Sequence, residues 1–464
     1  MRRTAVINVV GLTQSCLGPA TPRLSQFAKA GSLTPVVPAL PAVTCTAQAN
    51  YLTGQMPSRH GIVANGWYNR DLAEVHFWKQ SNRLVQSQKL WEELRQLQPG
   101  FTCANLFWWY NMYSTADYSI TPRPMYPADG RKFFDIYAWP YSIRTEVKEQ
   151  LGEFPFPCFW GPAAGIDSPQ GKADAVSRWI AESAKWIEQR YHPSLSLIYL
   201  PHLDYNFQRL GPADPQLQRD LQQIDDIVGD LIAFFRERSV QAVVLSEYGI
   251  TAVDRAIHLN RVFRERNWLT IKTERGLEVL DYGASKVFAV ADHQIAHIYL
   301  QEPAVASEAR ALIESQPGVA EVLDAPGRAR TGLDHSRAGD LVALADERSW
   351  FTYYYWLDDA IAPDFARTVD IHRKPGYDPV ELFLDPDQRW IKAKILFRLA
   401  QKKLGFRMLM DVIPLDAGLV KGSHGVRPRD PAHWPIFVAE RSVWEKPNPN
   451  SPQVYDFIKR LALE

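Results

Sequence analysis

Apolar runs and amphipathic stretches alternate along this chain. The apolar runs Ala5–Val10, Leu195–Leu200 and Val240–Leu245 predict three buried strands. The amphipathic stretches Ala173–Arg190 and Pro215–Arg238 predict long helices that precede the second and third of these strands. Strands that alternate with helices in this way are typical of an α/β protein, with a mostly parallel sheet and helices on both faces.

The pattern also predicts how the chain is divided. No Pro-rich, Gly-rich or charged linker interrupts it, which favours one domain over residues 1–464. Two segments, 67–170 and 259–333, fit the alternation less well, and we expect them to be insertions that lie over the sheet. A chain of 464 residues with 46% hydrophobic content can bury a core large enough for such a fold.

Charge and cysteine content exclude some function classes. Lys and Arg number 52, as do Asp and Glu, so no basic field indicates a nucleic acid polymer as partner. No apolar stretch is long enough to span a membrane, and the short N-terminal apolar run fits a first strand better than a signal peptide. The four cysteines show no CxxC spacing and predict free thiols in a reducing, cytoplasmic compartment.

The segment from Pro38 to Asn65 contains the most informative chemistry. A proline-rich loop is followed by Thr44 and a predicted helix that ends at Thr53-Gly54. A hydroxyl at the start of a helix can cap the free backbone N–H groups there. It can also attack an electrophile whose charge the helix end stabilises. The neighbouring Cys45 is a rival nucleophile, and these alternatives stay open at this point.

The spacing of this segment resembles the nucleophile segment of the type I phosphodiesterase/nucleotide pyrophosphatase family, in the alkaline phosphatase superfamily. The matching positions are Thr44, Thr53-Gly54, Pro57, His60-Gly61-Ile62 and Asn65. The resemblance implies an alkaline-phosphatase-like fold with a central, mostly parallel sheet and cap-like insertions. It also implies that Thr44 is a metal-bound nucleophile and that Asn65 donates to phosphoryl oxygens, whereas His60 is expected to be structural.

The family's metal-binding positions are altered in this chain. Asp204 follows the strand Leu195–Leu200 and matches the Asp of the family's D-x-x-x-H motif, but Gln208 stands in place of the His. An amide is a poor zinc ligand compared with an imidazole. His202, two residues before Asp204, could compensate only if its loop turned inward, and we expect it to be a packing or surface residue.

Two further strand ends depart from the family. The S-D-H-G motif is replaced by S-E-Y-G, with Glu247 and Tyr248 in the ligand positions. The Asp expected at the end of the first strand is Val10, and Asn8 lies one pleat deeper on the same face. The resemblance therefore implies a metal set that includes Asp204, Glu247 and Asn8.

Two C-terminal histidines compete for the last metal-binding position. His424 lies in a K-G-S-H-G loop and His372 in a D-I-H-R-K-P-G-Y-D-P segment, and each resembles a family motif. We favour His424 slightly, because a short Gly-flanked loop lets the ring project. We predict that Asp204, Glu247 and His424 converge within one coordination sphere.

Several other polar and aromatic positions have two interpretations. Arg373 and Lys374 could bind a phosphate or form a solvated surface pair. His293 and His297 could bind a metal, although hydrogen-bonded histidines are the commoner case. The dense aromatic clusters 107–113 and 351–356 could stack on a flat substrate group, but core packing is the expected role.

The resemblance implies metal-dependent hydrolysis of a phosphodiester or related phosphoric ester of a small molecule, with a Thr nucleophile. The divalent metal is Zn²⁺ in the family, and Mn²⁺ or Mg²⁺ fits the oxygen-rich ligands here. The alternative is a catalytically silent relative that binds a ligand or partner in the same pocket.

Overall fold

The computed structural model describes residues 2–464, apart from the side chain of Lys402. The strands are β1 (Thr4–Val9), β2 (Ser32–Pro35), β3 (Gly66–Asn69), β4 (Glu74–Phe77), β5 (Cys103–Leu106), β6 (Tyr118–Pro122), β7 (Ile136–Trp139), β8 (Leu195–Leu200), β9 (Gln241–Leu245), β10 (Thr251–Ala252), β11 (Arg255–Ile257), β12 (Thr270–Glu274), β13 (Leu277–Asp281), β14 (Val287–Asp292), β15 (Ile295–Leu300), β16 (Val319–Leu323), β17 (Leu341–Ala345), β18 (Ser349–Phe351), β19 (Gly422–Ser423) and β20 (Ile436–Ala439). The α-helices are α1 (Pro22–Ala30), α2 (Thr44–Thr53), α3 (Pro57–His60), α4 (Leu90–Leu97), α5 (Ser142–Leu151), α6 (Ala175–Tyr191), α7 (His202–Leu210), α8 (Leu217–Glu237), α9 (Leu259–Glu265), α10 (Ala306–Glu314), α11 (Ala325–Thr331), α12 (Ile391–Lys403) and α13 (Val454–Leu463).

The central sheet has eight strands in the order β2-β20-β9-β1-β8-β5-β6-β7. The strands from β9 to β6 are parallel, whereas β20 and the two edge strands β2 and β7 pair antiparallel with their neighbours. Every residue of β1, β8 and β9 is buried, as expected of parallel strands that helices cover on both faces. The predicted α/β fold with a mostly parallel central sheet is confirmed.

The helices form two groups around this sheet. In the first group α8 contacts both α1 and α6. In the second group α13 contacts α2, α4 and β1. The predicted strand Leu195–Leu200 has the same bounds as β8. The predicted ends of the two long helices differ by at most two residues from the ends of α6 and α8. Hydrophobic periodicity was sufficient here because each helix buries one continuous apolar stripe.

The segment 67–170 differs from the expectation that it lies over the sheet. Its strands β5, β6 and β7 extend the central sheet itself, and only the β3–β4 hairpin pairs apart from it. The reason is that residues 103–106 are fully buried and pair in parallel with β8. The apolar run 102–107 is itself typical of a strand, but its place in the central sheet depends on pairing with the distant β8, which local sequence does not show.

The segment 259–333 contributes to a second, antiparallel sheet. This sheet has the order β14-β15-β17-β16, so it also recruits residues 341–345 beyond the predicted end. Its buried side chains join the aromatic residues 351–356 in a second hydrophobic core. The expected core role of that aromatic cluster is confirmed, and the division of the chain into domains stays a prediction.

The topology brings the predicted site residues to one edge of the central sheet. The carboxyl ends of β1, β8 and β9 are neighbours, and binding sites of parallel sheets gather at such ends. None of the helices within residues 2–464 combines the length and apolar character that a membrane crossing requires.

Candidate functional site

Thr44 is the first residue of α2 and is buried at the edge of a pocket. The residue before the helix is Val43, and no side chain caps this helix end. The capping interpretation of Thr44 is therefore wrong. The Thr44 hydroxyl instead lies 3.2 Å from the hydroxyl oxygen of Tyr248.

A chain of hydrogen bonds connects Thr44 to Asp204. The Tyr248 hydroxyl donates to Asp204 Oδ1 at 3.2 Å, and since it has one hydrogen, it accepts from Thr44. Gln208 Nε2 donates to Asp204 Oδ2 at 2.8 Å, and the Tyr377 hydroxyl donates to Gln208 Oε1 at 2.9 Å. Both oxygens of Asp204 are thus bonded to the two residues that replace histidines of the family.

Four aromatic rings stack beside this chain. The Tyr248 and His424 ring centroids are 3.5 Å apart with an 8° interplanar angle. The ring centroid of His293 lies 3.8 Å from that of His424 and 3.5 Å from that of Tyr377. The rings of Tyr248, His424, His293 and Tyr377 therefore form a continuous column against the site.

The structure distinguishes the two C-terminal histidines. His424 Nε2 is 3.9 Å from Asp204 Oδ1, and its Nδ1 lies 2.7 Å from the carbonyl oxygen of Ala42, to which it donates. His372 Nδ1 instead lies 3.3 Å from the carbonyl oxygen of Phe77, away from Asp204 and Thr44. Of the two, His424 is the histidine that lies next to Asp204.

Glu247 lies deeper, at the end of β9. Its Oε1 accepts from Asn8 Nδ2 on β1 and from Gln48 Nε2 on α2. Burial raises the pKa of Glu247 to about 8, against the opposing hydrogen bonds from Gln48 and Asn8. Burial likewise raises the pKa of Asp204 to about 7. Asn8 thus serves Glu247 as a hydrogen-bond donor.

Asn65 is held next to the first turn of α2. Its Oδ1 accepts from the backbone N–H of Cys45 at 3.0 Å, and its Nδ2 donates to Asp292 Oδ1 at 3.1 Å. Asp292 also accepts from the Asn65 backbone N–H and lies 2.6 Å from His293 Nδ1. The adjacent pair Asp292 and His293, which we had not assigned to the site, ties Asn65 to the ring column.

The arrangement does not fit the metal-ligand set that the resemblance implied. Both oxygens of Asp204 and one oxygen of Glu247 are already hydrogen-bonded, as described above. Within residues 2–464, no three His, Cys, Asp or Glu side chains lie where they could hold a metal ion together. The predicted convergence of Asp204, Glu247 and His424 in one coordination sphere is not found in the described chain. His424 approaches Asp204 to 3.9 Å, whereas Glu247 is directed to Asn8 and Gln48.

Cys45 and Lys374 are two candidate residues that do not take part in the site. Burial raises the pKa of the Cys45 thiol well above its usual value, so Cys45 is not an activated nucleophile.

Lys374 is fully buried, where its Nζ bonds to Asp378 at 2.7 Å and Glu381 at 2.8 Å. The phosphate and surface interpretations of Lys374 are therefore both wrong. Its ion pair lies behind the pocket wall, since Glu381 also accepts from the Trp160 indole.

The remaining histidine predictions are resolved by their hydrogen bonds. His60 is buried and bonds to Asn50 and to the Ile62 backbone N–H, which confirms a structural role. His297 on β15 lies 3.2 Å from the Val63 carbonyl oxygen and accepts from the Gly339 backbone N–H. His202 is buried rather than exposed and lies 3.5 Å from Asp220, as a packing residue.

The pocket in front of Thr44 is largely aromatic. Its lining residues are Thr44, Trp78, Trp109, Phe159, Trp160, Tyr199, Pro201, Asp204, Tyr205, Tyr248, His293, Ile371 and Tyr377. The described lining contains no Lys or Arg. Two buried polar atoms in it, Trp109 Nε1 and the Tyr205 hydroxyl, have no partner within the described chain. Such a pocket can accept a flat group that also offers hydrogen-bond acceptors.

The parallel sheet, the threonine at the start of α2 and the polar residues at the strand ends define an α/β protein of the alkaline phosphatase type. The chain belongs to the type I phosphodiesterase/nucleotide pyrophosphatase family, because the sequence model of that family matches residues 4–378. This family consists of phosphoric ester hydrolases.

Individual relatives are distant. An uncharacterized pyrophosphatase/phosphodiesterase of Schizosaccharomyces pombe is 21% identical over 251 residues, which cover 52% of this chain and 44% of that protein. The matched part therefore spans less than half of the curated relative's length.

Solved structures show the same fold along nearly the whole chain. Phosphonoacetate hydrolase from Sinorhizobium meliloti 1021 superposes with a TM-score of 0.62 at 13% identity, over 99% of this chain and 96% of the other. Murine ectonucleotide pyrophosphatase/phosphodiesterase 5 superposes with a TM-score of 0.57 at 15% identity, over 100% and 95%. At these identities the likeness shows the fold alone.

Proposed function

We propose that the protein hydrolyses a phosphodiester or a related phosphoric ester of a small molecule, with Thr44 as the nucleophile. The observation that supports this best is the direction of the Thr44 hydroxyl. It is directed at the Tyr248 hydroxyl, 3.2 Å away, which in turn donates to Asp204, and Thr44 itself lines the pocket. A nucleophile needs this combination of a proton acceptor behind it and space in front.

The proposed reaction has two steps. Thr44 Oγ1 bonds to phosphorus while the bond to the leaving alkoxide breaks, and the leaving oxygen takes a proton from solvent. The Thr44 proton passes to the Tyr248 hydroxyl as that hydroxyl gives its own proton to the Asp204 carboxylate. Water then attacks the phosphothreonine, which restores the Thr44 hydroxyl and releases the phosphomonoester. The N-terminus of α2 lies at the attacking oxygen, where its partial positive charge stabilises the negative charge that develops.

Asn65 is proposed to bind a phosphoryl oxygen. One of its two Nδ2 hydrogens is directed to Asp292, and a side-chain amide has a second. Its bond to the Cys45 backbone N–H keeps the amide beside residue 44. The two buried donors Trp109 Nε1 and Tyr205 Oη are suited to acceptors elsewhere on the same substrate.

Ligands bound in two structures of this fold support a small molecule that carries a phosphorus oxyanion, as a phosphonate in the first and as a phosphate ester in the second. Phosphonoacetate hydrolase was solved with phosphonoacetate, a small molecule. An inactive variant of the murine ectonucleotide pyrophosphatase/phosphodiesterase 5, in which alanine replaces a threonine, was solved in complex with AMP. A small phosphoester that carries a flat group is compatible with the aromatic lining of the present pocket.

The family generally depends on divalent metals. For this chain, metal dependence stays a prediction, with Asp204, Glu247 and His424 as the positions that correspond to the family's ligands. Since the described residues do not form a shared ligand set, no catalytic step is derived from a metal. A cytoplasmic location and the exclusion of nucleic acid as a partner also stay predictions.

A second candidate function is ligand binding without turnover. The replacement of two family histidines by Gln208 and Tyr248 favours it, since both side chains are committed to Asp204. The choice between the two functions depends on whether Thr44 reacts.

The proposal is tested by steady-state kinetics of aryl phosphodiester hydrolysis. The wild type is compared with Thr44→Ala and Thr44→Ser. We expect Thr44→Ala to lose at least about a thousandfold in kcat/KM, and Thr44→Ser to retain measurable turnover because it keeps the hydroxyl. Equal turnover in the wild type and Thr44→Ala would overturn the proposal. Binding of a nucleotide without turnover in any of the three proteins would establish the second candidate instead.

A further inference from the structure

Helix α12 and its flanks expose an unusual amount of apolar surface. Between 60% and 78% of the surface is exposed for Trp390, Leu396, Phe397, Leu404 and Phe406. Five large apolar side chains within one short segment exceed the scattered exposed residues that are ordinary on a folded protein.

The apolar side chains of α12 share one face. Positions 393, 396, 397, 400 and 404 follow the spacing of a helical stripe, and all five are apolar and exposed. The opposite side holds the helix on the protein, where Ile391 and Ile395 pack against the second hydrophobic core. Lys394 and Arg398 on that side pair with Asp411, at 2.8 Å and 3.3 Å. The helix is thus anchored by one side and turns its apolar stripe outward.

The same segment is strongly basic. Residues 389–409 contain seven Lys or Arg and no Asp or Glu, although Lys plus Arg equals Asp plus Glu over the whole chain. Lys392 and Lys403 are exposed next to the apolar stripe. An apolar stripe flanked by cations is complementary to a bilayer surface that carries acidic headgroups.

A neighbouring loop adjoins this basic and apolar segment. Arg407 Nε donates to the Asp129 carbonyl oxygen at 2.7 Å, which joins the segment to residues 123–134. Met125 and Tyr126 of that loop are exposed, and Lys132 lies over the Tyr126 ring at 5.9 Å.

We propose that residues 389–409, together with Met125 and Tyr126, form a peripheral membrane-binding surface for bilayers rich in anionic lipid. The apolar stripe enters the boundary between headgroups and acyl chains, and the flanking cations lie at the level of the acidic headgroups. This attachment is independent of the proposed hydrolytic function, because none of these residues lines the pocket.

Vesicle co-sedimentation of the full chain tests the proposal. We expect binding to phosphatidylcholine vesicles that contain about 30% phosphatidylserine, and about tenfold weaker binding to pure phosphatidylcholine or at high salt. The variant Leu396→Glu/Phe397→Glu should lose at least about tenfold in binding, because charge replaces the apolar stripe. The charge variant Lys392→Glu/Lys403→Glu should lose binding to the anionic vesicles specifically.

The control variant Leu97→Glu places the same charge at an exposed apolar position on α4, far from this segment in the chain, and should bind like the wild type. Circular dichroism of each variant confirms that it is folded. Equal vesicle binding by the wild type and the stripe variant would overturn the proposal. So would failure of the wild type to bind anionic vesicles, or a dimer in solution that only the stripe variant dissociates, because the stripe would then be an interface between copies of this chain.

Discussion

The Tyr248 hydroxyl lies 3.2 Å from Thr44 Oγ1 and 3.2 Å from Asp204 Oδ1, so that one phenol joins the proposed nucleophile to a buried carboxyl group. In the family, the corresponding position is a histidine that binds metal. The substitution therefore replaces a ligand by a hydrogen-bonding group whose ring is fixed against His424. The altered motif has a defined hydrogen-bonding role of its own.

Tyr248→Phe tests this role most simply. The variant keeps the ring and its stacking on His424 but removes the hydroxyl that orients Thr44. We expect kcat to fall by about ten- to a hundredfold, with a smaller change in KM. The free energy of unfolding should fall by about 1–3 kcal/mol, because Asp204 Oδ1 loses a buried donor.

Tyr377→Phe is the matched control for that variant. It removes a hydroxyl from the other end of the same network, where the bond is to Gln208 and not to Thr44. Its kcat should fall less than that of Tyr248→Phe. If both variants lose the same activity, or if neither loses any, the phenol of Tyr248 has no specific role at Thr44.

The double replacement Gln208→His/Tyr248→His restores the family's histidines. We expect it to bind more zinc than the wild type and to hydrolyse the native substrate more slowly, because imidazoles would break the hydrogen bonds that now hold Asp204 and Thr44. Elemental analysis and turnover with added zinc or manganese measure both effects. Higher zinc content together with higher activity would show that the wild-type site is a damaged two-zinc site.

Sequence patterns predicted the fold well because strands and helices have different periodicities of apolar residues, which are visible in the local sequence. The strand Leu195–Leu200 and the helix that begins at Thr44 could be placed without any three-dimensional information. The spacing of the Thr44 segment then indicated the family. The position of β5 within an aromatic segment was assigned less well, since burial by distant elements decides that strand's place in the sheet.

The chemistry of the site was less predictable. Motif order placed Asp204, Glu247 and Tyr248 at neighbouring strand ends, but which side chain occupies the space between them depends on rotamers and packing. The role of His293 was missed because its ring contacts arise from a turn between β14 and β15, at a positive φ of 60°. The adjacent residues Asp292 and His293, between two apolar strands, were the one sequence signal for this role.

The pH dependence of stability should contain a contribution from His297. Burial lowers the pKa of His297 to about 4, whereas an unfolded histidine has a pKa of about 6.5. Between these values the unfolded chain binds the additional proton, so acidification below pH 6.5 lowers the free energy of unfolding. At pH 5 this loss is about 2 kcal/mol.

His297→Gln removes that contribution. Urea unfolding at pH 7 and pH 5 should therefore show a fall in the free energy of unfolding that is about 2 kcal/mol smaller in the variant than in the wild type. The variant will be less stable at both pH values, because it disturbs the bonds to Val63 and Gly339. An identical pH dependence in the two proteins would show that His297 does not titrate in this way.

The aromatic lining of the pocket should control substrate binding rather than the chemical step. Trp78 lies 4.8 Å from Trp109 by ring centroid and forms part of the wall in front of Thr44. Trp78→Leu should raise KM by about tenfold and leave kcat within about threefold, since it removes a stacking surface without contacting Thr44. The exposed Trp139→Leu serves as control, and a selective fall in kcat for Trp78→Leu would contradict this assignment.

Covalent trapping tests the central claim most directly. The wild-type protein is mixed with an excess of an aryl phosphodiester, quenched in acid within the first turnovers and digested, and the peptide that contains Thr44 and Cys45 is sequenced by mass spectrometry. The account predicts a phosphoryl group, still bearing the retained ester, on the Thr44 oxygen, and no such adduct in Thr44→Ala. Turnover by the wild type with an adduct on Cys45, or with the same product formed by Thr44→Ala, would contradict it.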